Sequence, residues 1–209
     1  MAGRLTDAIL RSAWPGAPLD NLLRAVALAD RQKAVASWRA FEAQANFDKL
    51  TWGEFRLISL AARRLAELAP DSPMRPRIAG IERSIWSRSQ LAIGEAATGL
   101  RKLASASVGM LVMKGAARAA TGGAAARGRI VNDIDVIVRP PDMERAFDIL
   151  IDDGWIPSAS GSPLYHRARL AHLTGINLVR GEFGNIDLHR TPFKTPFDSL
   201  DDDAAIWDR

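Results

Sequence analysis

Three short stretches hold residues whose types and spacing could do chemistry. Asp133 and Asp135 flank Ile134 at the start of an apolar run. In a strand, residues two apart point to the same face, so both carboxylates would project together while Ile134 turns into the core. Two adjacent carboxylates repel each other unless a cation lies between them, and an all-oxygen pair suits Mg²⁺ or Mn²⁺. Met113-Lys114-Gly115-Ala116 reads as a turn from strand into helix. Glycine there lets backbone approach a ligand, the free amides of the following helix attract anions, and Lys114 adds a point charge for a phosphate. Asp187 lies in a third run, Ile186-Asp187-Leu188-His189, where it shares a face with His189. An acid inside such a strand is costly unless it is paired or metal-bound. Each feature alone has a bland reading: a solvated strand start, a turn glycine, a wet edge strand. Together, a phosphate-binding turn, a carboxylate pair and a third carboxylate from another strand are the parts of a two-metal phosphoryl-transfer site.

Positioning these residues requires alternating strands and helices, and the pattern from Val108 onward supplies them. Met110 to Met113 is a short apolar strand followed by an alanine-rich helix, and Ile134 to Val138 is a second strand. Pro140-Pro141-Asp142 opens a helix over Met143 to Asp152, which stops at Gly154 as a C-cap requires. Trp155-Ile156 begins another extended piece. Ile176 to Val179 and Ile186 to His189 flank Gly181-Glu182-Phe183-Gly184 as a hairpin. The expected core is α+β or α/β, on a small mixed sheet. The preceding residues read as helices: apolar positions recur at helical spacing, and Thr51 with Glu54 resembles a capping box. Pro70 and Pro73 break the run. A long helix from about Pro76 to Ser105 follows, with Ile78, Ile81, Ile85, Leu91, Ile93, Leu100 and Leu103 as buried candidates. Trp38, Trp52 and Trp86 are expected as core anchors. The expected organisation is a helical region over 1–106 and a catalytic core over 107–209.

Composition narrows the chemistry. The 209 residues contain no cysteine, which excludes disulfides, thiolate metal sites and thiol nucleophiles. Hydrophobic residues make up 47% and charged residues 25%, ordinary for a soluble globular chain. No stretch is apolar enough for a membrane helix and the N-terminus lacks a signal-peptide pattern, so a cytoplasmic protein without a membrane partner is expected. The net charge of +4 suits phosphate-bearing ligands, but no basic patch with interleaved aromatics marks nucleic-acid binding.

The order of these motifs resembles the polymerase-beta-like nucleotidyltransferase superfamily. More narrowly, it resembles uncharacterised bacterial nucleotidyltransferases with an apolar strand ending in Lys-Gly, an Arg four residues before Asp-x-Asp, and a late Ile-Asp-Leu-His. Leu111 to Ala117, Arg129 with Asp133-Ile134-Asp135, and Ile186 to His189 supply those elements, and Gly154-Trp155, Arg83 and Trp86 add to the likeness. It spans roughly residues 50 to 195 and implies a polymerase-beta-like α+β core behind a helical region. It further implies a nucleoside triphosphate, with ATP the expected donor, held on two divalent metals (Mg²⁺ or Mn²⁺). Asp133 and Asp135 would bind both metals, and Asp187 would bind the catalytic one and help deprotonate the acceptor. Gly115 and Ala116 would bring backbone amides to the phosphates, with Lys114 or Arg129 neutralising charge. A nucleoside monophosphate would pass to a small-molecule, protein or RNA acceptor, and pyrophosphate would leave.

His189 shares the face of Asp187 and is a candidate contact to nucleotide or acceptor. His172 is a weaker candidate, and His166 is placed in a loop-like stretch. The histidine spacings do not favour a zinc site. Asp201-Asp202-Asp203 reads as a solvated run.

The sequence departs from the superfamily pattern in three places. Ala116 stands where serine or a second glycine usually follows the glycine. Eighteen positions separate Gly115 from Asp133, and relatives continue past the third acid, whereas this sequence stops at Arg209. Either the N-terminal helices build the acceptor site, or the chain is shortened and impaired. The rivals are a catalytically degenerate nucleotide- or partner-binding member of the fold, an RNA- or tRNA-modifying antitoxin-like module, and a helical interaction protein.

Overall fold

The computed structural model describes residues 14–121, 129–192 and Trp207. The acid run at 201–203 lies outside the described residues. The chain divides into two compact units, the first ending at Trp86 and also taking in Arg129, the second built from Ser87 onward.

The first unit is helical. Helices α1 (Ala17–Ala27), α2 (Arg31–Gln44) and α3 (Trp52–Leu68) precede α4 (Arg75–Ser105), a long helix that contributes residues to both units. The side chain of Asp30 caps α2 by accepting from Lys33 N–H. At α3 the capping box is complete: Glu54 N–H donates to Thr51 Oγ1, and the Glu54 carboxylate accepts from Thr51 N–H at 2.7 Å. The Pro70–Pro73 segment separates α3 from α4, as the missing proline donors require. Leu22, Trp38, Phe41, Ile58, Leu65 and Ile78 form the core. Trp52 and Trp86 are not core anchors: they are 58% and 41% exposed, and Trp52 stacks on Phe55 at the surface. Leu91 is likewise half exposed, because α4 turns Ser89 and Ala92, not Leu91, inward.

The second unit is the expected sheet with helices. In chain order it runs β1 (Met110–Val112), α5 (Lys114–Ala120), β2 (Ile134–Val138), a 3-10 turn at Pro140–Asp142, and α6 (Met143–Asp152). There follow β3 (Ile156–Pro157), α7 (Pro163–Arg167), a 3-10 turn at Leu170–His172, β4 (Gly175–Arg180) and β5 (Gly184–His189). The five strands form one mixed sheet in the order β1-β2-β5-β4-β3. Only the central β2–β5 pair is parallel.

Helix α6 ends in a Schellman motif. Gly154, at φ +87°, sits where an L side chain would be strained. Trp155 N–H reaches Leu150 O and Gly154 N–H reaches Ile151 O. The turn delivers Trp155 into the core beside Phe147 and Leu150. Along β5 the pattern alternates: Ile186 and Leu188 are buried while Asn185, Asp187 and His189 are only partly covered. One face of the sheet therefore packs the core, at about 1.5–3 kcal/mol per large side chain, and the other carries polar groups.

The β4–β5 turn is fixed against α4. Phe183 N–H donates to Glu95 Oε2 at 3.3 Å, and a Cβ on Gly184 would fall 2.4 Å from Arg180 O. Arg180 pairs with Asp153, bonds Thr98 and lies over the Trp155 ring. His166 is not in a loop: α7 carries it, Ser162 caps that helix, and its imidazole is buried. Among the described residues no helix is long and apolar enough to cross a membrane.

Candidate active site

The acids meet because two strands pair in one register. Asp135 in β2 lies directly opposite Asp187 in β5, and Ile137 lies opposite His189. Neighbouring strands run about 4.8 Å apart and side chains alternate in direction, so Asp135, Asp187 and His189 share one face. The Asp135 side chain is only 5% exposed, against 30% for Asp187 and 16% for His189. A carboxylate that deep must be compensated, and two nitrogen-bearing side chains converge on it. His189 Nε2 is 3.1 Å from Asp135 Oδ1 and 3.1 Å from Asp187 Oδ2. The Lys114 ammonium also pairs with Asp135 Oδ1.

Lys114 reaches that oxygen through an unusual backbone. Met113 N–H donates to Asp135 O, holding the end of β1 against β2. The chain then turns into α5 through Lys114 at φ +51°. A non-glycine residue in the left-handed region costs about 1–2 kcal/mol, and such strain gathers at functional sites. Here it turns the lysine side chain back over the acid pair.

The charges shift one another. Hydrogen bonding to Asp187, then the negative charge there and at Asp135, raises the His189 imidazole above its ordinary value despite partial burial. The Asp135 carboxylate raises the Lys114 ammonium further. Asp133 has solvent access, yet the surrounding protein disfavours its charge, and Asp135 and Asp187 add repulsion. Its carboxyl is pushed above the usual range.

Of the residues singled out in the sequence, the structure gathers Lys114, Asp135, Asp187 and His189 into contact. Asp133 belongs to the same electrostatic group from an exposed position. Gly115 and Ala116 form the first turn of α5. A Cβ on Gly115 would meet only Val131 Cγ2, at 3.9 Å, so packing does not demand glycine there. Ala116 is buried. Arg129 is exposed and groups with the first unit, not with the one carrying the acids. His172 is exposed on its 3-10 turn.

Two features were not read from the sequence. The first is the pairing of the Lys114 ammonium with Asp135, of which their separation in sequence gives no sign. The second is a polar cleft of about 440 Å³ lined by Arg88, Asn132, Phe183 and Asn185 among others. Asn132 adjoins Asp133, and Asn185 precedes Asp187 by two positions on the same face. The Arg88 guanidinium lies over the Phe183 ring.

Donor atoms of Asp135, Asp187 and His189 all lie within 4.8 Å of one another, a set that could hold a divalent metal. The buried, charge-dense acid pair fits such an ion.

A helical region followed by a mixed sheet that apposes acids on its central strands is the architecture of a polymerase-beta-like nucleotidyltransferase. Residues 52–209 match the family described as uncharacterised nucleotidyltransferase, and the chain belongs to that family. No curated protein and no solved structure matches it.

Proposed function

We propose that the protein transfers a nucleoside monophosphate, with AMP the expected group, from a nucleoside triphosphate to a hydroxyl or amine acceptor. The observation that carries this reading is the register of Asp135 against Asp187 on parallel strands, with Lys114 and His189 closing over them. Family membership supports the reaction class.

In the proposed reaction the acceptor oxygen or nitrogen attacks the α-phosphorus. The bond from that phosphorus to the α–β bridging oxygen breaks, and pyrophosphate leaves with the bonding pair. Asp187, the more accessible of the paired acids, takes the acceptor proton. Asp135 fixes the geometry from its buried position, and Asp133 stands at the exposed edge. A divalent metal bound among these acids would polarise the phosphoryl oxygens and offset the developing charge. The Lys114 ammonium and the Gly115–Ala116 amides face the triphosphate, and the cleft of Arg88, Asn132, Phe183 and Asn185 gives room for the rest of a substrate.

The test uses ATP labelled at the α-phosphate, incubated with the full chain, Mg²⁺ or Mn²⁺, and pools of small molecules, protein and RNA. Label transfer with stoichiometric pyrophosphate, lost in Asp135→Asn and Asp187→Asn, is expected. Metal-dependent ATP binding without pyrophosphate release from any pool would instead favour a nucleotide-binding member of the fold that does no chemistry. Ala116, which offers no hydroxyl to a phosphate, is the observation on that side.

A further inference from the structure

The metal site deserves a sharper assignment than a group of aspartates. We propose that His189 is a direct ligand, so that the inner site is Asp135, Asp187 and His189, and that it selects a first-row transition dication such as Mn²⁺ over Mg²⁺. This rests on the reading of the acid cluster as the metal site of a nucleotidyltransferase, and it concerns which residues bind and which ion they choose.

Geometry separates His189 from Asp133. The three residues whose donor atoms lie within 4.8 Å of one another are Asp135, Asp187 and His189; Asp133 is not among them. His189 Nε2 sits 3.1 Å from an oxygen of each acid, so an ion reaching both carboxylates also lies beside the imidazole nitrogen. Register enforces this: His189 follows Asp187 by two residues on β5, and its backbone partner across β2 is Ile137, two beyond Asp135. The imidazole side chain is only 16% exposed, so the neighbouring strands cover most of it beside the two acids.

Donor chemistry then decides the ion. Mg²⁺ demands near-ideal octahedral oxygen coordination and keeps its waters, whereas first-row transition dications accept an imidazole nitrogen beside carboxylates, Mn²⁺ being the one that is also at home among oxygens. The chain has no cysteine, so no thiolate competes for the ion. Two oxygens and one nitrogen leave open positions for water and phosphate oxygens, as a catalytic site requires. The Lys114 ammonium and the His189 imidazole both contact Asp135 Oδ1. A metal held by Asp135 would take their place on that oxygen and leave the Lys114 ammonium for the triphosphate.

The test uses the full chain without nucleotide, loaded with Mn²⁺, and electron spin-echo spectroscopy to look for nitrogen coupled to the metal. Calorimetric titration with Mn²⁺ and with Mg²⁺ is run in parallel on the native chain, His189→Asp and His189→Gln, with thermal unfolding to confirm that each variant folds. The expected result is nitrogen coupling in the native chain that disappears in both variants. Mn²⁺ should bind more tightly than Mg²⁺, and His189→Asp, which makes the donor set all-oxygen, should bring the two affinities closer together. Native chain showing bound Mn²⁺ without nitrogen coupling would overturn the assignment; so would an unchanged ratio in His189→Asp. If Mg²⁺-dependent ATP binding persists in that case, the nucleotidyltransferase reading stands and His189 alone is misassigned. If the native chain binds neither metal nor any triphosphate, both readings fail together.

Discussion

Lys114→Ala separates the work done by the lysine's charge from that done by its backbone. The ammonium pairs with a carboxylate that is 5% exposed, although the lysine side chain itself is 62% exposed. Breaking a fully buried pair costs about 3–5 kcal/mol, and an exposed pair contributes about 0–1 kcal/mol. Two facts pull the expected cost toward the lower figure: solvent reaches the lysine, and His189 Nε2 remains on the same oxygen at 3.1 Å. Metal-free Lys114→Ala should therefore lose about 1–2 kcal/mol, within the range between those limits. For a chain of this size that is a few degrees of melting temperature, at about 2–4 °C per kcal/mol. Alanine keeps the residue at φ +51° under the same strain, whereas Lys114→Gly also relieves about 1 kcal/mol of it. The glycine variant should thus be the more stable of the two. Because the ammonium and a metal compete for Asp135, both variants should bind Mn²⁺ more tightly than the native chain, by about fivefold for 1 kcal/mol. Saturating metal should then close the stability gap by mass action. Differential scanning calorimetry in EDTA and in Mn²⁺, with titration calorimetry, reads every term. Unchanged melting in EDTA together with unchanged or weaker Mn²⁺ binding would refute the reasoning.

Other perturbations test separate links. Asp135→Asn and Asp187→Asn should each abolish metal-dependent triphosphate binding by calorimetry, while Asp133→Asn, at the exposed edge, should weaken it less; equal losses would contradict the placement of Asp133. Gly99→Ala should destabilise by about 1–3 kcal/mol through overpacking, since its Cβ would lie 2.9 Å from both Leu150 Cδ2 and Trp155 Nε1. A gain in chemical-denaturation stability, as helix propensity alone suggests, would show that the α4–α6 packing is looser than described. His189 is raised above its ordinary value of 6.5 by Asp187 first and Asp135 next. Its contribution to metal-free stability is thus full below pH 6.5 and lost as pH climbs through the raised folded value. Melting temperature should fall over that interval in the native chain and stay flatter in His189→Gln; equal slopes would remove the imidazole from the site's charge balance.

Much of the fold was written in local chemistry. The alternation of Ile186-Asp187-Leu188-His189 fixed which side chains share a face, because strand period is two whatever the partner. Ile134–Val138 and Met143–Asp152 could be delimited because apolar pattern, prolines and Gly154 coincide there. Thr51 and Glu54 gave a helix start that depends on a single turn of backbone. Trp52, Trp86 and Leu91 misled for the opposite reason: helical spacing shows that a face exists, but only the neighbouring elements decide which face is covered.

The site divides along the same line. The sequence by itself determined the kinds of group available: two acids at a strand start, a third with a histidine two residues on, and a Lys-Gly turn. Only the tertiary structure decided which of them meet. The parallel β2–β5 register sets Asp135 against Asp187, brings His189 onto both, and leaves Asp133 at the exposed edge. Lys114 joins Asp135 through a left-handed turn that an ordinary lysine avoids. Strand registers and strained turns depend on long-range pairing and packing, whose free energy comes from residues distant in the chain, so no short motif encodes them.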